Sequence, residues 1–137
     1  MKSDLLLHIL IIDDDEVDIL AIQSCFRKLD IPVFFSIAKN GVEALHMLLE
    51  ELKLLPQIII LDNKMPKMNG IEFLENLRAD SRFNDIHVFM VTGLYSTKDK
   101  LATRDLNVAG RVVKPLSQDD ALHMYMAALK LPGFQAR

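Results

Sequence analysis

The chain has 137 residues, 50% hydrophobic and 26% charged, with a net charge of −3; this is the make-up of one soluble domain with a real core and excludes a disordered chain. The negative balance, with no cluster of Lys or Arg to override it, argues against electrostatic attraction to nucleic acid, and no stretch is long enough to cross a bilayer as a helix, so neither a nucleic acid nor a membrane is expected as a partner. A single cysteine, Cys25, excludes an internal disulfide and makes a reducing cytoplasm the expected compartment.

An apolar run over 5–12 predicts the first strand. It is short for a signal peptide, contains His8, and closes on Asp13, Asp14, Asp15 and Glu16 where a cleavage site needs small residues. Asp15 and Asp18 make an Asp-x-x-Asp opening for a helix to about residue 29, whose apolar face carries Ile19, Ile22, Phe26, Leu29 and Cys25 as a small core residue. Residues 33–38 predict a second strand, and Asn40 caps a helix over 41–51 with Val42, Leu45 and Leu49 inward. After Pro56 the run Gln57-Ile58-Ile59-Ile60-Leu61 leads straight into Asp62, the habit of a strand buried on both faces. Met65-Pro66 turns the chain, and Asn69 caps a helix over 70–78 with Ile71, Leu74 and Leu77 as its stripe. Residues 86–91 predict a fourth strand ending at Thr92-Gly93, and Ser96 opens a helix to about residue 106. A short fifth strand over 110–113 ends at Lys114-Pro115. Ser117 and Asp120 open a last helix to about residue 131, stopped by Pro132-Gly133.

Five strands, each followed by a helix, imply right-handed crossovers and a doubly wound α/β fold with a parallel sheet. All strands then end at one edge, where open α/β sheets bind ligands. Asp13, Asp14, Asp62, Thr92 and Lys114 are expected to gather there, although each alone has an ordinary reading as a cap, a turn or a surface residue. Crowded carboxylates repel, and a hard cation with oxygen ligands offsets the repulsion. Mg²⁺ fits best, because it takes few protein carboxylates, keeps waters and accepts a phosphate oxygen. Asp62, alone on its strand, is the candidate nucleophile toward phosphorus. The cation, the Lys114 ammonium and the Thr92 hydroxyl can each neutralise one equatorial oxygen of a transferring phosphoryl group.

These residues resemble the receiver domain of bacterial two-component response regulators. The likeness runs from Ile9-Leu10-Ile11-Ile12-Asp13-Asp14-Asp15-Glu16 through Ile60-Leu61-Asp62-Asn63-Lys64-Met65-Pro66 and Met68-Asn69-Gly70 to Val113-Lys114-Pro115. It implies a flavodoxin-like fold with strand order 2-1-3-4-5 and phosphorylation of Asp62 by a phosphohistidine of a sensor kinase or phosphotransfer protein. It also implies Mg²⁺ on Asp14, Asp62 and the Lys64 backbone carbonyl, with Asp13 acting through water. Thr92 and Lys114 would then engage the phosphoryl group, and a cis bond at Pro115 would hold the Lys114 stem. Asp14-Asp15-Glu16-Val17-Asp18 and Asn107-Val108-Ala109-Gly110 further resemble single-domain regulators of phytochrome-type and other hybrid kinases.

Two positions depart from that family. Three residues before Lys114, where Tyr or Phe is usual, stands Arg111, a guanidinium poorly suited to burial in the same pocket and expected to pair with acidic groups at an interface or at the site's rim. Two residues after Asp62 and after Thr92 stand Lys64 and Leu94, neither able to orient an attacking water as that position often does, so slow self-dephosphorylation is expected. After the last helix too few residues remain for an output domain, so one receiver domain over 1–137 is expected to signal through a protein surface. The expected surface is the fourth helix, fifth strand and fifth helix. With Leu122, Met126 and Leu129 facing the core, Met124, Ala127 and Leu131 would form an outer patch for a partner or a homodimer. His8, His46, His87 and His123 share no ligand spacing. The alternatives are a pseudo-receiver binding module and an aspartate-nucleophile phosphohydrolase; Lys64, where a hydrolase needs an acid/base Asp, argues against the latter.

Overall fold

The computed structural model describes residues 6–94 and 96–130. Strands β1 (Leu7–Ile12), β2 (Val33–Ala38), β3 (Ile58–Leu61), β4 (His87–Thr92) and β5 (Val108–Val113) alternate with helices α1 (Glu16–Arg27), α2 (Gly41–His46), α3 (Gly70–Arg78), α4 (Thr97–Thr103) and α5 (Gln118–Ala128). All strand pairs are parallel, in the order β2-β1-β3-β4-β5 expected from the sequence. β1 and β3 lie at the centre with every residue buried, which is why their sequences are unbroken apolar runs rather than alternating ones. The pleat divides them. Leu7, Ile9, Ile11, Ile58 and Ile60 pack with α1 and α5, while Leu10, Ile12, Ile59 and Leu61 pack with α2 and α3. Each such side chain contributes about 1.5–3 kcal/mol by leaving water, and together they fix where the strands stop.

Asp15, Asn40, Asn69, Ser96 and Ser117 each cap a helix through their side-chain oxygens. Full capping boxes form at Asn69–Glu72, Ser96–Asp99 and Ser117–Asp120. The Asp15–Asp18 box expected from the sequence does not form. Asp15 N donates instead to Asp13 Oδ1 (2.9 Å), and the Asp18 carboxylate is taken by Lys114.

Two helices turn a different face inward from the one expected. In α2 the buried positions are Gly41 and Ala44, continued by Leu48 in a π-helical turn (Met47–Glu51); of the three residues expected inward, Leu45 is half-buried against the core, while Val42 and Leu49 are exposed. In α5 they are Ala121, Met124 and Ala128, so Met124, expected on an outer patch, is a core residue only 1% exposed. Leu122, Met126 and Leu129, expected in the core, are 42, 49 and 41% exposed, and Ala127 is half-buried against the core. Leu131 lies outside the described residues. The cause is the same in both helices. Each carries apolar residues on two faces, and the one with smaller side chains lets the helix approach its neighbours closely, here α1 against α5 and α2 against α3.

His8 is a polar intrusion in β1. Its ring is buried, stacks on Phe34 (4.2 Å between centroids) and meets Ser36 Oγ at 2.8 Å, while Nδ1 has no hydrogen-bond partner. Burial pushes its pKa below 6.5, and the nearby Leu54 and Leu55 backbone offsets only part of that. A depressed folded pKa gives stability that is present above 6.5 and is lost as pH falls through the folded value. The difference in melting temperature between wild type and His8→Phe is therefore expected to shift in favour of the variant on acidification below about pH 6.5; a difference that stays constant from pH 8 to 5 would overturn this.

At the opposite end of the sheet from the strand termini, Arg78 closes α3. Its Nε donates to Leu106 O (2.9 Å), Nη1 to Phe83 O (3.0 Å) and Asn84 O (3.4 Å), and Nη2 to Ile86 O (2.9 Å) and Asn107 O (3.0 Å).

Candidate functional site

The carboxyl edge of the sheet brings together residues spread over a hundred positions. Asp13 and Asp62 follow β1 and β3, and their backbone N–H groups extend the ladders, Asp13 N to Ala38 O (3.0 Å) and Asp62 N to Ile12 O (2.9 Å). Both are buried. With the exposed Asp14 they offer three carboxylate oxygens within 4.8 Å of one another. Lys114 follows β5 through the same device, its N–H donating to Thr92 O (2.9 Å), and Nζ reaches Asp18 Oδ2 (2.7 Å), Asp13 Oδ2 (2.9 Å) and Asp62 Oδ1 (3.5 Å). The buried Thr92 closes β4 beside it, and the Lys114–Pro115 peptide bond is cis.

The electrostatics are strained in one direction. Burial pushes the Asp13 carboxyl above the usual carboxylate range, although the Asp15 N–H and the Lys114 ammonium both favour its ionised form. Burial also works against the charge on Lys114, but the bonds to Asp18 and Asp13 and the charge of Asp62 outweigh it and hold the ammonium well above its ordinary value. Three carboxylates, Asp13, Asp18 and Asp62, thus share the Lys114 ammonium, and Asp14 adds a further carboxylate beside Asp13 and Asp62. Three clustered oxygens with unspent negative charge are the donor set of a hard divalent cation.

The loop after Asp62 is braced by its own side chains. Asp62 Oδ1 accepts from Asn63 N (2.9 Å), and Asn63 takes both Gly70 N (2.9 Å, on its carbonyl) and Ile71 N (3.2 Å, on Oδ1). Lys64 is exposed in this loop. A Cβ added at Gly70 would collide with Asp62 O and lie 2.9 Å from Asn63 Cα, both backbone atoms that cannot rotate away. Gly70→Ala is therefore expected to cost about 1–3 kcal/mol in urea unfolding and to weaken Mg²⁺ binding; an unchanged Mg²⁺ affinity would show that Gly70 does not set the position of Asp62.

The sequence argument placed Asp13, Asp14, Asp62, Thr92 and Lys114 at one edge, and the structure puts them there. Asp18 was read as a helix-start residue and as part of the Asp14–Asp18 resemblance, not as a partner of Lys114. The missed sign was its position one helical turn beyond Asp14, which returns its side chain to the same edge. Arg111 lies on the outward face of β5, whose residues alternate half-buried and exposed. With Lys100, Leu101, Arg104, Val112 and Val113 it lines a groove of about 650 Å³.

Residues 9–126 match the family model of the response regulator receiver domain. Among curated proteins, the chain is 30% identical over 128 residues to the sensor histidine kinase CheAY of Helicobacter pylori, covering 93% of this chain and 16% of that protein. It is 32% identical over 120 residues to the probable transcriptional regulator ycf27 of Guillardia theta, covering 88% and 44%. The chain thus spans less than half of these relatives. Among solved structures, a two-component response regulator from Legionella pneumophila superposes with a TM-score of 0.84 at 44% identity, covering 91% of this chain and 99% of that one. The bacteriophytochrome response regulator AtBRR superposes with a TM-score of 0.80 at 25% identity, covering 97% of each.

Proposed function

Because this chain belongs to the response regulator receiver domain family of two-component systems, we propose that it is a phosphorylation-dependent signalling switch in which Asp62 accepts a phosphoryl group from a sensor histidine kinase or phosphotransfer protein. The observation that carries this is the meeting of the Asp13, Asp14 and Asp62 oxygens within 4.8 Å, with Lys114 Nζ 3.5 Å from Asp62 Oδ1.

An Asp62 carboxylate oxygen forms a bond to phosphorus as the P–N bond of the donor phosphoimidazole breaks, and the freed imidazole nitrogen keeps the electron pair and takes up a proton from solvent. Asp13, Asp14 and Asp62, with the Lys64 backbone carbonyl, would hold Mg²⁺, which supplies positive charge to the phosphoryl oxygens. The Lys114 ammonium stays protonated and supplies a second positive contact, and the Thr92 hydroxyl donates to a third oxygen. Asp62 is buried at the base of the site, with little of its carboxylate open to solvent.

The signal leaves through α4, β5 and α5. Arg111 shares its groove with the cations Lys100 and Arg104 over an apolar floor of Leu101, Val112 and Val113, and α5 exposes Leu122, Met126 and Leu129. This face suits a partner carrying acidic and apolar groups, or a homodimer formed on phosphorylation. Light scattering with and without a phosphoryl mimic tests the dimer, and a monomer in both states removes it. The similarity to a bacteriophytochrome response regulator supports a phytochrome-type kinase as the donor.

Incubation with acetyl phosphate and Mg²⁺, followed by intact mass, is expected to show one added phosphoryl group on wild type and none on Asp62→Asn. With Lys64 and Leu94 at the positions flanking the site, that group should persist for minutes or longer. No mass gain would support a pseudo-receiver, and turnover within seconds would overturn the slow-release reading.

A further inference from the structure

Lys114 has a partner that its expected role does not require. Nζ stands 2.7 Å from Asp18 Oδ2 and 2.9 Å from Asp13 Oδ2, both within hydrogen-bonding reach, whereas Asp62 Oδ1 lies at 3.5 Å. The ammonium is therefore bonded on the α1 side of the site and merely near the acceptor carboxylate. Asp18 stands outside the three-carboxylate cluster of Asp13, Asp14 and Asp62. A cation held by that cluster would take up the charge of Asp13 and loosen its grip on Lys114, but it would leave the grip of Asp18 in place.

We infer that Asp18 is a positioning residue that restrains the Lys114 ammonium on the α1 side of Asp62 and thereby sets how readily that ammonium passes to a phosphoryl group arriving there. The inference rests on the reading of Asp62 as the phosphoacceptor. Two effects act in the same direction. To close in from its 3.5 Å distance to Asp62 Oδ1, Nζ moves against the hold of Asp18, which keeps one of its three donors. The Asp18 carboxylate, sharing Nζ with Asp62, also lies within about 6 Å of Asp62 Oδ1 and has the same sign as the incoming group. With its side chain 32% exposed, Asp18 is screened but not silenced. Unit charges about 6 Å apart in such a setting change an affinity roughly threefold to tenfold. In the transfer from acetyl phosphate, the Asp62 Oδ–P bond forms while the P–O bond to the acetyl group breaks. Acetate leaves with the electron pair, and Lys114 keeps its proton throughout.

The test compares wild type, Asp18→Asn and Asp18→Glu. In metal-free protein, the ¹H–¹⁵N signal of the Lys114 ammonium is expected to be protected from exchange in wild type and Asp18→Glu, and broadened or shifted in Asp18→Asn. This readout needs no chemistry at Asp62. At saturating Mg²⁺, Asp18→Asn is expected to bind beryllofluoride about threefold to tenfold more tightly than wild type. It should also gain phosphate from dilute acetyl phosphate faster by the same factor, with the rate at saturating donor changed less than about twofold. Asp18→Glu should return both values to near wild type. A residue that only supports α1 would move the melting temperature and none of these. The inference is overturned by an Asp18→Asn protein whose ammonium signal and beryllofluoride affinity match wild type, or by one that reacts more slowly. A wild type that takes up no phosphoryl group overturns the reading of Asp62 itself and the handover with it; failure of Asp18 alone appears as a reactive wild type matched by its variant.

Discussion

Replacing Lys114 by Ala is expected to lower the stability of the metal-free protein by about 3–5 kcal/mol, because it leaves buried carboxylates without their counter-charge. The Lys114 side chain is only 17% exposed, and it is the cation on Asp13, Asp18 and Asp62 together. Burial already holds the Asp13 carboxyl toward its protonated form with the ammonium present. Without it, Asp13 would keep the Asp15 N–H and the charge of Lys39 to favour ionisation and would still be pushed further in that direction. Mg²⁺ held as proposed by Asp13, Asp14 and Asp62 should restore part of the loss, since a ligand of the folded state alone stabilises that state. Urea titrations of wild type and variant with EDTA and with Mg²⁺ measure both quantities. The stabilisation by Mg²⁺ should be larger in the variant, and phosphorylation by acetyl phosphate should fall by about 10²-fold through loss of one fixed positive contact. A variant as stable as wild type without metal would mean that the carboxylates are better solvated than their burial indicates.

The same cluster marks how far the sequence could be read. Apolar runs bounded by turn residues located all five strands, most sharply the central β3, which is covered on both faces and has no polar position to blur it, and least sharply the edge strand β5, which begins at Val108, two residues before its expected start. Capping residues set helix starts for the same local reason: Asn69 with Glu72 begins α3 at Gly70, as expected. What failed depended on distance across the fold. The inward faces of α2 and α5 were misassigned because Ala44, Ala121 and Ala128 bury little area each, yet permit the close approach that larger residues forbid. Asp18 looked like part of a cap, since its real partner lies 96 positions away on another element. Arg78 carried no sequence sign at all, for the carbonyls it serves belong to turns whose directions only the fold decides.

That arginine is the counterpart of Lys114 at the other end of the sheet, and Arg78→Ala is expected to cost about 3–4 kcal/mol in urea unfolding. Its five donors end on carbonyls of residues 83, 84, 86, 106 and 107, the turns that lead into β4 and β5. Phe83 O also accepts from Ile86 N (3.2 Å), and Asn107 holds a left-handed backbone (φ 54), so the arginine ties together turns that lie outside the regular helix and strand ladders. Burial draws the guanidinium pKa down, yet it remains charged, and bonds from a charged donor are worth about 1.5–3 kcal/mol each before the cost of burial is subtracted. Arg78→Lys should recover less than half of the loss, because an ammonium has three donors and no planar fork to span two turns. Since the damage falls where β4 and β5 begin, and Asp62, Thr92 and Lys114 stand where strands end, Mg²⁺ affinity in the folded variant should stay within about twofold of wild type. An Arg78→Ala protein of normal stability would mean that water replaces all five bonds, and one that loses Mg²⁺ would mean that the two ends of the sheet are coupled.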